Sequence, residues 1–211
     1  MEQLRALSEH GGAVAVVVAV GFLAGSIPFG LLLALAFGKT DVRKAGSGNI
    51  GATNVARVAG KKLGVITLVL DALKGAIPVW VAVDVDAFAA VDDRARALLG
   101  ALVGLAALLG HCFTPWLRFK GGKGVATGLG MLIALHPEVA GYAVLAFAVA
   151  FLASRLVSVS SLAAAVVVVA ALVVRGPVDA ALVPVVVALA VIAVRHVENI
   201  RRVVKKQELK L

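Results

Sequence analysis

Two lysines set among three glycines, in the stretch Phe119-Lys120-Gly121-Gly122-Lys123-Gly124-Val125-Ala126-Thr127, are the residues of this chain best suited to holding phosphate. Glycines let a backbone approach a ligand closely and present its N–H groups, and ammonium groups add positive charge. Thr127 falls where a new apolar helix begins, so an anion there would also meet the free N–H groups and positive dipole end of that helix. The stretch is not a Walker A loop, which needs glycine where this chain has Leu117 and Ser or Thr where it has Gly124. A basic turn that faces lipid headgroups is the alternative, since glycine and lysine are common at membrane interfaces.

A second polar loop runs from Ala45 to Arg57. Its Gly46-Ser47-Gly48-Asn49-Ile50-Gly51 matches the G-x-G-x-x-G pattern, and Asp71 stands twenty residues beyond it. A dinucleotide fingerprint nevertheless needs a strand before it and a βαβ unit around it, and this match follows a long apolar run and a charged turn. What remains is the Ser47 hydroxyl, the Asn49 and Asn54 amides and the Arg57 guanidinium, groups suited to orienting a phosphate or a polyol. Three serines, Ser158, Ser160 and Ser161, open another apolar run; they could cap a helix or donate to a substrate, and capping is the better reading of Ser158. Finally, His196 and Asn199 are three apart and share a helix face, so both could point into one site. The basic tail around them reads equally as an anchor to anionic lipid, which accounts for Lys205 and Lys206.

The elements that position these groups are apolar. With 61% hydrophobic and 16% charged residues and a mean hydropathy of +1.02, the chain is too apolar for a soluble domain of 211 residues and reads as a polytopic membrane protein. The formal charge of +9 does not point to nucleic acid, because the basic residues lie at the ends of apolar runs and aromatics make up only 5%. The single Cys112 excludes an intramolecular disulfide framework.

The first uncharged run, Gly11 to Gly38, is long enough to cross the bilayer and too long for a cleavable signal. Its Gly25-Ser26-Ile27-Pro28 predicts a kink that frees a carbonyl for another partner. Leu63 to Val83 forms a second span that carries Asp71 and Lys74 on one face, read as an internal ion pair, with a catalytic role as the alternative. Ala97 to Leu117 is the third span, with His111 near its end as a packing or interfacial residue rather than a ligand. The run from Val125 to Ala153 is either one tilted helix or two short ones broken at His136-Pro137-Glu138. Val157–Val174 and Val178–Val194 follow, separated by Arg175-Gly176-Pro177.

Charge bias decides the count. Breaking the ambiguous run gives seven spans and puts 16 Lys and Arg on one face, leaving only Arg5, Arg94, Arg96 and Arg175 on the other, with Lys74 internal; six spans divide the same residues evenly. Seven spans therefore follow, with the N-terminus outside, the C-terminus in the cytoplasm and every polar loop above on the cytoplasmic face. The expectation is an all-α, integral membrane protein whose residues 1–211 form a single domain.

Taken together, the motifs form a resemblance. Gly-Ser-Ile-Pro-Phe-Gly from Gly25, the twelve residues from Gly46 to Arg57, Asp-Ala-Leu-Lys-Gly from Asp71, Gly110-His111, the lysine and glycine loop, and His-Val-Glu-Asn-Ile-Arg-Arg from His196 resemble the bacterial acyl-phosphate:glycerol-3-phosphate acyltransferase family, known as PlsY. The likeness covers nearly the whole chain in order. It implies a seven-helix enzyme of the bacterial inner membrane that moves an acyl chain from acyl phosphate to the 1-position of glycerol 3-phosphate. Lysophosphatidic acid and inorganic phosphate would result, at the first step of phospholipid synthesis. It implies no cofactor or metal and no direct need for acyl-CoA or acyl carrier protein. The bilayer and the enzyme that makes acyl phosphate are the candidate partners, and nucleic acid is not.

Carried over by motif, Ser47, Arg57, Lys123, His196 and Asn199 would be catalytic. Asn49, Asn54, Lys120, Gly121, Gly122, Gly124, Thr127 and Ser161 would bind substrate, with Glu198 as structural support. Val197 departs from the family, where a basic residue is frequent. The chemistry is compatible: acyl phosphate is a mixed anhydride with a good leaving group, so no covalent nucleophile is required. The chain also lacks a histidine followed five residues later by aspartate. The hydroxyl proton could pass to His196 or to a substrate phosphate oxygen. A transporter for an anionic metabolite is the competing class, although its charges should line a path at the bilayer midplane.

Overall fold

A computed structural model describes residues 2–175 and 180–210. Among them there are α-helices and short 3-10 turns and no strand. The helices are α1 (Glu2–Glu9), α2 (Gly11–Ser26), α3 (Phe29–Ala36), α4 (Ala52–Ala59), α5 (Lys61–Asp84), α6 (Asp93–Cys112), α7 (Val125–Leu135), α8 (Pro137–Ser154), α9 (Val157–Arg175), α10 (Leu182–Arg195) and α11 (Val197–Val204).

Helix α6 is the hub. About it and its continuation to Leu117, 72% of the apolar window is buried, against 17–39% in the other long helices. Leu99, Val103 and Leu108 from this helix form the middle of the core with Phe88, Val79 and Met131. Its neighbours come close because the contacts are small. A Cβ on Gly25 of α2 would collide with the backbone of Ala107, and one on Gly110 of α6 would strike the Phe22 carbonyl. Helices α5 and α7 meet the same way, through Gly75 against Thr127 and Gly130 against Ala72.

The expected kink falls at Pro28, between α2 and α3, and the carbonyls it frees find partners. Ser26 O accepts from Thr114 Oγ1 at 2.7 Å, and Ile27 O accepts from Lys74 Nζ at 2.8 Å. Lys74 and Asp71 form the expected buried ion pair, at 2.8 Å.

The ambiguous apolar run is broken where Pro137 predicts, with α7 ending at Leu135 and α8 starting at Pro137. Among the described residues, five helical segments are long and apolar enough to cross a membrane, and α10 with α11, bent by 46°, would make a sixth. Helix α7 has 11 residues, which at 1.5 Å each reach only about 16 Å of the roughly 30 Å hydrocarbon core. The last apolar helix is described from Leu182; Gly176 and Pro177 of the expected turn, and Val178, where the last span was expected to open, lie outside the described residues. Leu145, Leu152, Val166 and Val173 on α8 and α9 are more than half exposed, the surface expected of a bundle solvated by lipid. The chain is a multi-pass membrane protein.

Candidate active site

Helix α4 and the loop before it are built around one buried amide. Asn54, 2% exposed, donates through Nδ2 to the carbonyls of Val42, Ala45 and Asn49 at 2.8–3.1 Å, and its Oδ1 accepts from Ser47 N at 2.9 Å. Gly46, at φ +61°, must be glycine, because a Cβ would run into that Oδ1. Asn49 turns its Oδ1 onto Gly51 N at 2.8 Å. Asn54 therefore shapes the loop, and the Ser47 hydroxyl and Arg57 are what the loop offers. Arg57 Nε is buried with no hydrogen-bond partner among the described residues, a donor waiting for an acceptor.

The lysine and glycine loop departs from the expected cradle. Gly121 N donates to Cys112 O and Gly122 N to His111 O, both at 3.1 Å, so these N–H groups face the end of α6 and not a ligand. Their missing side chains allow that approach: a Cβ on Gly121 would meet the His111 carbonyl and one on Gly122 the His111 ring. Arg195, at the end of α10, clamps the loop from the other side, donating to Gly122 O at 3.0 Å and Gly121 O at 2.7 Å while its guanidinium lies 5.7 Å from the Phe113 ring. Lys120 is exposed and outside the cavity. Thr127 is fully buried with its Oγ1 unpaired among the described residues, on the face of α7 that meets Gly75. Anion-binding capacity in this loop thus rests with Lys123 and Gly124.

These elements enclose a cavity of about 560 Å³ lined by Ser47, Asn49, Asn54, Arg57, Lys123, Gly124, Ser161, His196 and Asn199. Nine of the thirteen candidate residues from the sequence therefore meet here, and Lys120, Gly121, Gly122 and Thr127 are the four that do not line the cavity. The cavity adds Asp71, His111, Ser158, Arg202 and Glu208. Ser158 does not cap its helix, because its hydroxyl donates to Glu208 Oε1 at 2.8 Å. Ser161 donates back to Val157 O at 2.8 Å, which leaves only its lone pairs for a ligand. Glu198 supports nothing in the site: it is exposed and pairs with Arg201 at 2.5 Å. The carboxylate of the C-terminal segment that does reach the site is Glu208, which long-range folding delivers and no local motif announces.

Two side chains are electrically tuned. Burial, together with Arg202, Arg195 and Arg57 nearby, brings the Lys123 ammonium down to about 8, with Glu208 opposing. Burial also pushes His196 below its ordinary value. His196 Nδ1 lies 2.8 Å from Ile192 O, and a carbonyl can only accept, so Nδ1 carries the hydrogen and Nε2 keeps a lone pair.

A second, apolar cavity of about 270 Å³ is lined by Met131, Ala143, Val168, Val185 and Ile192, and shares Leu68, Val125, Ala126, Phe147 and Ser161 with the first. A cation-rich cavity that continues into an apolar one, inside a helical membrane bundle, defines a membrane protein whose site has the shape and charge to suit an amphipathic anion. Residues 15–206 match the family model described as glycerol-3-phosphate acyltransferase. The chain is 47% identical over 197 residues to a glycerol-3-phosphate acyltransferase of Anaeromyxobacter sp. (strain Fw109-5), covering 93% of this chain and 95% of that one. Crystal structures of PlsY, an integral membrane glycerol 3-phosphate acyltransferase, superpose with TM-scores of 0.85 for the glycerol 3-phosphate form and 0.82 for the lysophosphatidic acid form. Their identities are 40% and 39%, each covering 94% of this chain and 95% of that structure's chain. This chain belongs to the glycerol-3-phosphate acyltransferase family.

Proposed function

We propose that the chain acylates the 1-hydroxyl of glycerol 3-phosphate with acyl phosphate as donor, releasing lysophosphatidic acid and inorganic phosphate. The observation that carries this reading is the continuity of the two cavities: phosphate groups meet Arg57, Lys123 and Arg202, and an acyl chain runs past Phe147 and Ser161 into the apolar space. In the reaction, the hydroxyl oxygen bonds to the carbonyl carbon, the bond from that carbon to the phosphate oxygen breaks, and the phosphate leaves. Arg57 and Lys123 neutralise the two anionic heads and hold them together, so positioning and charge supply the catalysis. Neutral His196 accepts the hydrogen bond of the attacking hydroxyl through Nε2 and orients it; the proton passes to a phosphate oxygen, a base already in place. No acyl-enzyme forms.

The same reading places the protein in the bacterial inner membrane with seven crossings, the N-terminus outside and the site facing the cytoplasm, where glycerol 3-phosphate is soluble and an acyl-phosphate-forming enzyme can deliver the donor. Helix α7 then needs its flanking segments to complete its crossing. A donor panel tests the chemistry: purified protein in detergent with glycerol 3-phosphate should form 1-acyl lysophosphatidic acid from palmitoyl phosphate and none from palmitoyl-CoA. Product from the thioester alone would contradict it.

A further inference from the structure

One anionic side chain in the cation-rich cavity, Glu208, neither bonds to the substrates nor moves a proton in that reaction. Beyond α11 the backbone turns through Lys206, at φ +57°, and brings Glu208 back against the site. The Glu208 side chain is only 7% exposed. Its Oε1 accepts from Ser158 Oγ at 2.8 Å and Asn199 Nδ2 at 2.5 Å, and its Oε2 from Arg202 Nε at 2.8 Å. Just past it, Arg57 Nη2 donates to the carbonyls of Leu209 and Lys210 at 3.4 and 3.2 Å. A strap of six residues, 205–210, thereby ties α4, α9 and α11 together across the site.

A buried carboxylate among cations could be a plug standing where a substrate phosphate belongs, or a wall. Space decides between them. With Glu208 in place the cavity still holds about 560 Å³. Glycerol 3-phosphate has ten non-hydrogen atoms and, at no more than a water's share of roughly 30 Å³ each, needs under about 300 Å³. Ser47, Lys123 and His196 line that remaining space. Hydrogen-bond capacity agrees, since Asn199 keeps its Oδ1 and one amide hydrogen, and Arg57 keeps Nε and Nη1.

We infer that Glu208 is a positioning residue of the acyl transfer: its carboxylate fixes the Ser158 hydroxyl, the Asn199 amide and the Arg202 guanidinium for the substrates, and the strap it anchors is a wall of the site. The inference rests on the acyltransferase reading above. Its electrostatic side follows from the cations it faces. Arg57, Arg195 and Arg202 all depress Lys123, and Glu208 is the charge that opposes them, with His196 also adjoining Lys123.

Glu208→Gln keeps the size but removes the charge and turns an amide toward one of the three donors; Glu208→Asp keeps the charge but shortens the reach. Kinetics for glycerol 3-phosphate with palmitoyl phosphate, measured per folded protein, should show kcat/KM at least tenfold lower in Glu208→Gln and partly restored in Glu208→Asp. The alkaline limb of its pH profile should move to lower pH in Glu208→Gln, which a purely structural role would not produce. Exposed Gln207→Ala should match the wild type. Unchanged constants in folded Glu208→Gln would overturn the inference, and a lower KM would overturn it in favour of a plug. If Glu208→Gln does not fold, wild-type kinetics and pH profile in Glu208→Asp overturn it, since the shorter side chain cannot span all three donors. A wild-type protein that makes no lysophosphatidic acid is a separate result, and sinks the reaction itself.

Discussion

At the scale of residues, Arg57 and Lys123 bring the same charge in different forms. The guanidinium offers a planar fork with Nε still unpaired, so Arg57→Lys should lose most activity although the charge is kept. Lys123 is a point charge, and Lys123→Ala should weaken glycerol 3-phosphate use by about 1.5–3 kcal/mol in kcat/KM, read from initial rates. The two tuned groups set the pH profile. Neutral His196 is the working form, so activity falls as pH drops through a value below 6.5; charged Lys123 is the working form, so activity falls as pH rises through about 8. A bound phosphate favours the ammonium, so the alkaline limb of kcat should lie above that of kcat/KM. A kcat/KM profile that stays flat as pH rises through about 8 to 9 would remove Lys123 from the reaction. That Arg57, Lys123, His196 and Asn199 meet in one cavity was legible in the sequence, because their motifs mark them. Ser158 and Glu208 were not, since their pairing joins residues fifty positions apart, and Glu198 was the nearer but wrong carboxylate.

At the scale of elements, glycines and one arginine hold the lysine and glycine loop in register. Arg195→Ala frees the carbonyls of Gly121 and Gly122 from α10, and should raise KM for glycerol 3-phosphate severalfold while leaving the melting temperature little changed. Gly122→Ala should do worse, because the added methyl meets the buried His111 ring and the loop must shift. Equal kinetics in both folded variants would show that the loop needs no such support. The helices themselves, the Pro28 kink and the Pro137 break were readable from composition and proline, which act locally. The direction in which each loop glycine faces was not: a glycine-rich stretch allows its N–H groups to meet a ligand or a helix end, and only the packing against α6 selects the latter.

At the scale of the whole molecule, the proposed seven crossings put all the polar loops on one side of the membrane and divide the basic residues 16 to 4. In an otherwise cysteine-free background, single cysteines near Ser47, Gly122, Ser158 and His196 should label only from the cytoplasm, and one at Asp92 only from outside. Labelling of Asp92 and Gly122 from the same side would contradict seven crossings. The central claim is direct transfer between two phosphate-bearing substrates held in one cavity. It is tested most directly by following palmitoyl phosphate, glycerol 3-phosphate and their products together by phosphorus NMR with the purified protein. The account predicts one lysophosphatidic acid and one inorganic phosphate for each palmitoyl phosphate consumed, with no phosphate released when glycerol 3-phosphate is left out. Phosphate release without acceptor, or lysophosphatidic acid without loss of palmitoyl phosphate, would contradict it.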